Sequence, residues 1–121
     1  MTDLMIFNCT HGKEDPERAI LPFVAANAAV AAGHRAAVFC TVDAVWLGTV
    51  GGTDSVAIDG LPPLSELHEH FVSGGGEVWL CITCTSRRGI TEDALAEGAS
   101  LVSAARIVEE IANGAKTMAN A

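Results

Sequence analysis

The chain has 121 residues, half of them apolar and only six aromatic, with seven basic against fifteen acidic side chains and a formal net charge of -8. That length is one ordinary domain, residues 1–121, with a core filled mainly by Ala, Val, Leu and Ile. The acidic balance repels phosphate backbones and anionic lipid surfaces, so neither nucleic acid nor a membrane is an expected partner. The longest apolar run, residues 19–32, is broken by Pro22 and Asn27 and falls short of the about 20 residues that a bilayer needs. Asp3 stands where a secretion signal would carry basic residues. The expectation is a cytoplasmic protein whose four cysteines are free thiols.

Leu4-Met5-Ile6-Phe7-Asn8-Cys9 reads as a first strand, and Pro16, behind an Asp15 N-cap, opens a helix over residues 16 to about 32 that stops at Gly33. Pro22 removes one internal hydrogen bond and is expected to bend that helix. Ala36-Ala37-Val38-Phe39-Cys40 is a second strand, buried on both faces. Asp43 is expected to cap a short helix reaching Trp46. Residues 48–60 read as a loop, with a short strand at 55–58.

Pro63 starts a further helix with Leu64, Leu67, Phe71 and Val72 on one side, and Gly74-Gly75-Gly76 ends it. Val78-Trp79-Leu80-Cys81-Ile82 is the third strand. Thr91 is expected to cap a helix with Glu92 and Asp93 in its first turn. Leu101-Val102 reads as a last short strand, and Ile107, Val108, Ile111, Ala115 and Met118 recur at helical spacing. This alternation predicts an α/β fold, a mostly parallel sheet with helices on both faces, in which ligand groups gather beyond the carboxyl ends of the strands.

Chemistry concentrates in Cys81-Ile82-Thr83-Cys84-Thr85-Ser86-Arg87-Arg88-Gly89, where two thiols and two guanidinium groups follow an apolar strand. The thiolate is the reactive form of cysteine, and nearby cations stabilise it. Cys81 lies among apolar neighbours, whose burial disfavours the thiolate, whereas Cys84 lies past them and closer to Arg87 and Arg88. Local chemistry therefore favours Cys84. Residues 81 and 84 in a fully extended chain would be about 10 Å apart, beyond the roughly 7 Å limit of a disulfide. A bridge would need a turn at Thr83.

Cys9 and Cys40 also fall near strand ends, each followed by Thr, and read either as site neighbours or as small buried apolar residues. His11, just past the first strand, is the histidine placed to reach the thiols, with an exposed loop position as the plainer reading. Paired arginines such as Arg87 and Arg88 are as often solvated or bridged to acids as used on an anion. A lone Cys-x-x-Cys lacks the four ligands of a structural zinc site, and His68 and His70 face different ways on a helix, so no metal is expected. Gly51-Gly52 and Gly74-Gly75-Gly76 lack the spacing of a nucleotide loop.

The segment Gly76-Glu77-Val78-Trp79-Leu80-Cys81-Ile82-Thr83-Cys84-Thr85-Ser86-Arg87-Arg88-Gly89-Ile90, followed by Glu92-Asp93 and Glu97-Gly98-Ala99, resembles the signature of DsrE/DsrF-like proteins. Asp15-Pro16-Glu17-Arg18-Ala19 and residues 28–33 are similar to that family's first helix, so the likeness runs nearly end to end. The resemblance implies a three-layer, flavodoxin-like (Rossmann-like) domain that assembles as a homotrimer or homohexamer. It also implies a sulfur-relay role, with sulfane sulfur carried as a cysteine persulfide between sulfur donor and acceptor proteins, without a cofactor. In relay members the cysteine precedes the Arg-Gly pair by the spacing of Cys81, and members with a Cys-x-x-Cys hold a second at the spacing of Cys84. Both thiols stay candidates, with Arg87 and Arg88 as anion stabilisers. Two other classes remain, a dithiol redox protein using Cys81 and Cys84 and a noncatalytic oligomeric binding module acting through residues 48–60.

Overall fold

A computed structural model describes residues 3–119. Five strands, β1 (Met5–Cys9), β2 (Ala36–Cys40), β3 (Glu77–Cys81), β4 (Ala99–Val102) and β5 (Lys116–Met118), form one sheet in the order β4-β3-β2-β1-β5. Every neighbouring pair is parallel. Parallel strands need crossovers, which the helices supply. α1 (Pro16–Ala31) joins β1 to β2, and α2 (Leu64–Ser73) leads into β3. A short α3 (Ile82–Arg87) follows β3 directly, and α4 (Ala104–Ala112) carries the chain from one edge of the sheet to the other.

Two apolar layers hold these elements. On one face Phe7, Val38, Val78 and Leu80 pack under Ala19, Ile20, Phe23 and Ala26 of α1 and Leu64 and Phe71 of α2. The alanines bring α1 close to the sheet, and Phe23 meets Phe71 edge-on at 6.0 Å between ring centres. Full burial of each such phenylalanine contributes about 1.5–3 kcal/mol. Asn27 ties the two helices together, its Nδ2 donating to the carbonyls of Phe23 at 3.0 Å and Leu67 at 3.1 Å. The opposite face buries Leu4, Ile6, Ala37 and Trp79, with Ile107 of α4 against them. Arg106 of α4 lies over the Trp79 ring at 4.6 Å from its centre.

The layered, flavodoxin-like architecture agrees with expectation, and all five strands are parallel. Asp15 caps α1 as predicted, accepting from the Arg18 N–H, and α1 runs unbroken through Pro22. Several local expectations are corrected. Asp43 lies inside a 3-10 helix (Val42–Gly48) whose N-cap is Thr41, so it is not the cap. Residues 55–58 form no strand. The helix expected from Thr91 is a single 3-10 turn (Glu92–Ala94), with Thr91 at its N-cap and the chain extended again at Leu95. Ala115 and Met118 leave the final helix, which ends at Ala112, and residues 116–118 pair with β1 as an edge strand. Among the described residues no helix is long and apolar enough to cross a membrane.

Candidate thiol site

The four cysteines divide into two environments. Cys9 and Cys40 end β1 and β2, face each other in register and are fully buried. Cys9 Sγ donates to the His11 carbonyl at 3.5 Å, and the adjacent Cys9 thiol together with burial pushes the Cys40 thiol well up from its ordinary range. That favours the neutral thiol at Cys40, and neither sulfur of the pair is open to solvent. Cys81 and Cys84 lie half-buried at the end of β3 and in α3.

Cys81 is the N-cap of α3, and Cys84 follows three residues on in its first turn. Strand alternation sends Val78 and Leu80 to the α1 face and Trp79 to the α4 face, so Cys81 follows Trp79. Cys84 instead packs against the core beneath α1. The turn at Thr83 that a bridge would need is present as helix, yet both thiols are free.

Cys84 receives a hydrogen bond from outside its own segment. Its Sγ accepts the backbone N–H of Val42 at 3.2 Å. Val42 has φ 54°, the one non-glycine residue with positive φ among those described. A β-branched side chain in this left-handed region is a strained outlier, and such strain persists only where the surroundings impose it. Next in sequence, Asp43 Oδ1 accepts from Arg88 Nε at 3.2 Å and Nη2 at 3.1 Å, while Arg88 Nη1 donates to the Cys84 carbonyl at 3.2 Å. Arg88 therefore fastens the start of the 3-10 helix to α3. Its guanidinium is directed to Asp43 and a carbonyl, and Arg87 is exposed with no ion pair among the described residues. Gly12 closes the same corner, since a Cβ there would stand 2.7 Å from the Asp43 carbonyl oxygen.

Of the other predicted neighbours, Cys9 and Cys40 belong to the apolar cluster against which Cys84 packs. The His11 ring bonds the Thr10 hydroxyl at 2.9 Å, and only the His11 carbonyl meets a thiol, that of Cys9. A cavity of about 530 Å³ adjoins the site on its Asp43 side, between Lys13 and Glu14 of the loop after β1 and Trp46, Gly51 and Gly52. No cysteine lines it. Among the described residues no group of three or more His, Cys, Asp or Glu converges as metal ligands would. Sequence reasoning missed Val42 and Asp43, which lie over 40 residues from their partners and carry no local signal of the contact.

Residues 3–119 match the DsrE/DsrF-like family. The chain belongs to that family. A curated relative, the uncharacterised protein MJ0760 of Methanocaldococcus jannaschii, is 29% identical over 102 residues, 84% of this chain and 37% of the relative. The chain thus spans just over a third of that protein's length. Among solved structures, the ychN protein from E. coli superposes with a TM-score of 0.79 at 19% identity, covering 98% of this chain and 99% of that one. MTH1491 of Methanobacterium thermoautotrophicum, described as a protein of unknown function, gives 0.75 at 19% identity over 96% and 97%. At these identities the structural likeness speaks for the shared family fold, with membership resting on the sequence match itself.

Proposed function

We propose that this DsrE/DsrF-like protein carries sulfane sulfur as a persulfide on Cys84. The reading rests on one observation above all: Cys84 Sγ, unlike the buried pair, accepts a backbone N–H from Val42 and sits in a half-exposed position. A hydrogen bond to sulfur favours its anionic form. The Cys84 thiolate attacks the outer sulfur of a donor persulfide; the Sγ–S bond forms, the donor's S–S bond breaks, and the donor leaves as a thiolate. An acceptor thiolate then attacks the outer sulfur of the Cys84 persulfide and returns Cys84 as a thiolate. Atoms and electrons balance without an added oxidant or cofactor.

The backbone N–H that Val42 gives to Cys84 singles out one thiol of the two and favours this reading over the dithiol one. Intact-mass measurement after incubation with a sulfane-sulfur donor tests it. The native chain and Cys81→Ser should gain one sulfur, removable by dithiothreitol, and Cys84→Ser should not. A gain lost only in Cys81→Ser would move the carrier to Cys81, and loss of two hydrogens alone would favour the dithiol protein. We also infer a homo-oligomer, since α4 buries no residue fully and leaves Val108 and Ile111 exposed. A monomer by light scattering at micromolar concentration would refute assembly.

A further inference from the structure

Val42 is held in a conformation that a β-branched residue avoids, and the contacts around it show what holds it. Thr41 before it is tied to β1, its N–H donating to the Cys9 carbonyl at 3.0 Å. Asp43 after it is bound by two nitrogens of Arg88. Arg88 is in turn anchored on the Cys84 carbonyl, with its side chain only 14% exposed. Between these two fixed points the backbone turns through φ 54° and its N–H reaches Cys84 Sγ.

We propose that the Asp43–Arg88 ion pair is a positioning clamp, which keeps Val42 strained so that its N–H stays on Cys84 Sγ and activates that thiol over Cys81. The arginine then serves the thiolate through the backbone it fixes, and the N–H is the group that touches the reacting sulfur. When Cys84 holds a persulfide, the same donor stays on the inner sulfur, which becomes the leaving thiolate on transfer. The inference builds on Cys84 as the sulfur carrier, but thiol reactivity can be measured without any sulfur transfer.

The clamp and simple electrostatics predict opposite signs. Asp43→Ala removes the anion together with both hydrogen bonds to Arg88, and the freed guanidinium by Coulomb attraction alone would make Cys84 react faster. Under the clamp, Val42 relaxes to negative φ, the N–H leaves the sulfur and Cys84 slows. The experiment is the second-order rate of iodoacetamide alkylation at neutral pH, resolved by peptide mass mapping, with Cys81 of the same molecules as internal control. Asp43→Ala should slow Cys84 by about three- to tenfold, the range of one ordinary net hydrogen bond, and leave Cys81 unchanged.

Glycine takes positive φ without strain, so adding Val42→Gly to Asp43→Ala should restore Cys84 to within about twofold of the native rate. Val42→Gly alone should raise the melting temperature, because glycine relieves the strain at φ 54°. The Val42 amide proton should move upfield in Asp43→Ala and not return on added salt. Faster or unchanged alkylation in Asp43→Ala, no recovery in the double variant, or a lower melting temperature for Val42→Gly would each overturn the clamp. Failure of sulfur loading with the alkylation pattern intact would count against the sulfur-carrier reading instead.

Discussion

Cys9 and Cys40 stand directly opposite each other at the carboxyl ends of β1 and β2, both with no solvent exposure. Their position separates structural from accessible thiols in one chain. Ellman's reagent on the native protein should therefore label Cys81 and Cys84 and leave Cys9 and Cys40 unlabelled until denaturant is added. A burst from all four thiols under native conditions would contradict the buried pair.

The same pair should give the protein an alkaline limit. The folded Cys40 thiol is raised by Cys9 and by burial from an ordinary value of 9.0. An unfolded chain then releases that proton first, so stability is intact below pH 9.0 and falls as pH rises from there toward the folded value. Denaturant titrations between pH 8 and 10 should show this decline, and Cys40→Ala should flatten it at some cost in packing.

His68 imposes the acid counterpart. It packs on Phe23 at 5.7 Å between ring centres, its Nε2 is buried without a partner, and burial holds its imidazole below the ordinary 6.5. Between that lowered value and 6.5 the unfolded chain binds a proton that the folded one refuses. Stability present above pH 6.5 should thus be lost as pH falls through this window. His68→Leu removes both the proton site and the unsatisfied nitrogen. It should be at least as stable as the native chain at pH 7 and should lose the acid slope between pH 7 and 5 in thermal melts.

Asn27 is the polar link between α1 and α2, bonding a carbonyl on each helix. Asn27→Ala should lower stability by about 1–2 kcal/mol. The loss should show as a lower urea midpoint at an unchanged slope. A shift below a few tenths of a kcal/mol would mean that water replaces the amide.

The central strands and α1 were readable because their signals are local and agree. Ala36-Ala37-Val38-Phe39-Cys40 is a continuous apolar run, and Asp15-Pro16 is an N-cap followed by a first helical residue. β5 was not readable, since Lys116, Thr117 and Met118 are all exposed and only pairing with β1 makes them a strand. α3 was missed because Ile-Thr-Cys-Thr-Ser has weak helix propensity and the fold overrides it. Cys84 stood out by its neighbours in sequence. Its hydrogen-bond donor did not, because Val42 meets it only when β2 and β3 lie side by side.

The passage of α4 from the β4 edge to the β5 edge also fixes an order of events during synthesis. β1, β2, β3 and β4 can pair, and α1 and α2 can cover their face, as the chain emerges. The opposite face, with Trp79 and Ile6, stays open to water until residues 104–118 have left the ribosome and crossed it. For those seconds the nascent domain is half-dressed, with its largest side chain on the bare side.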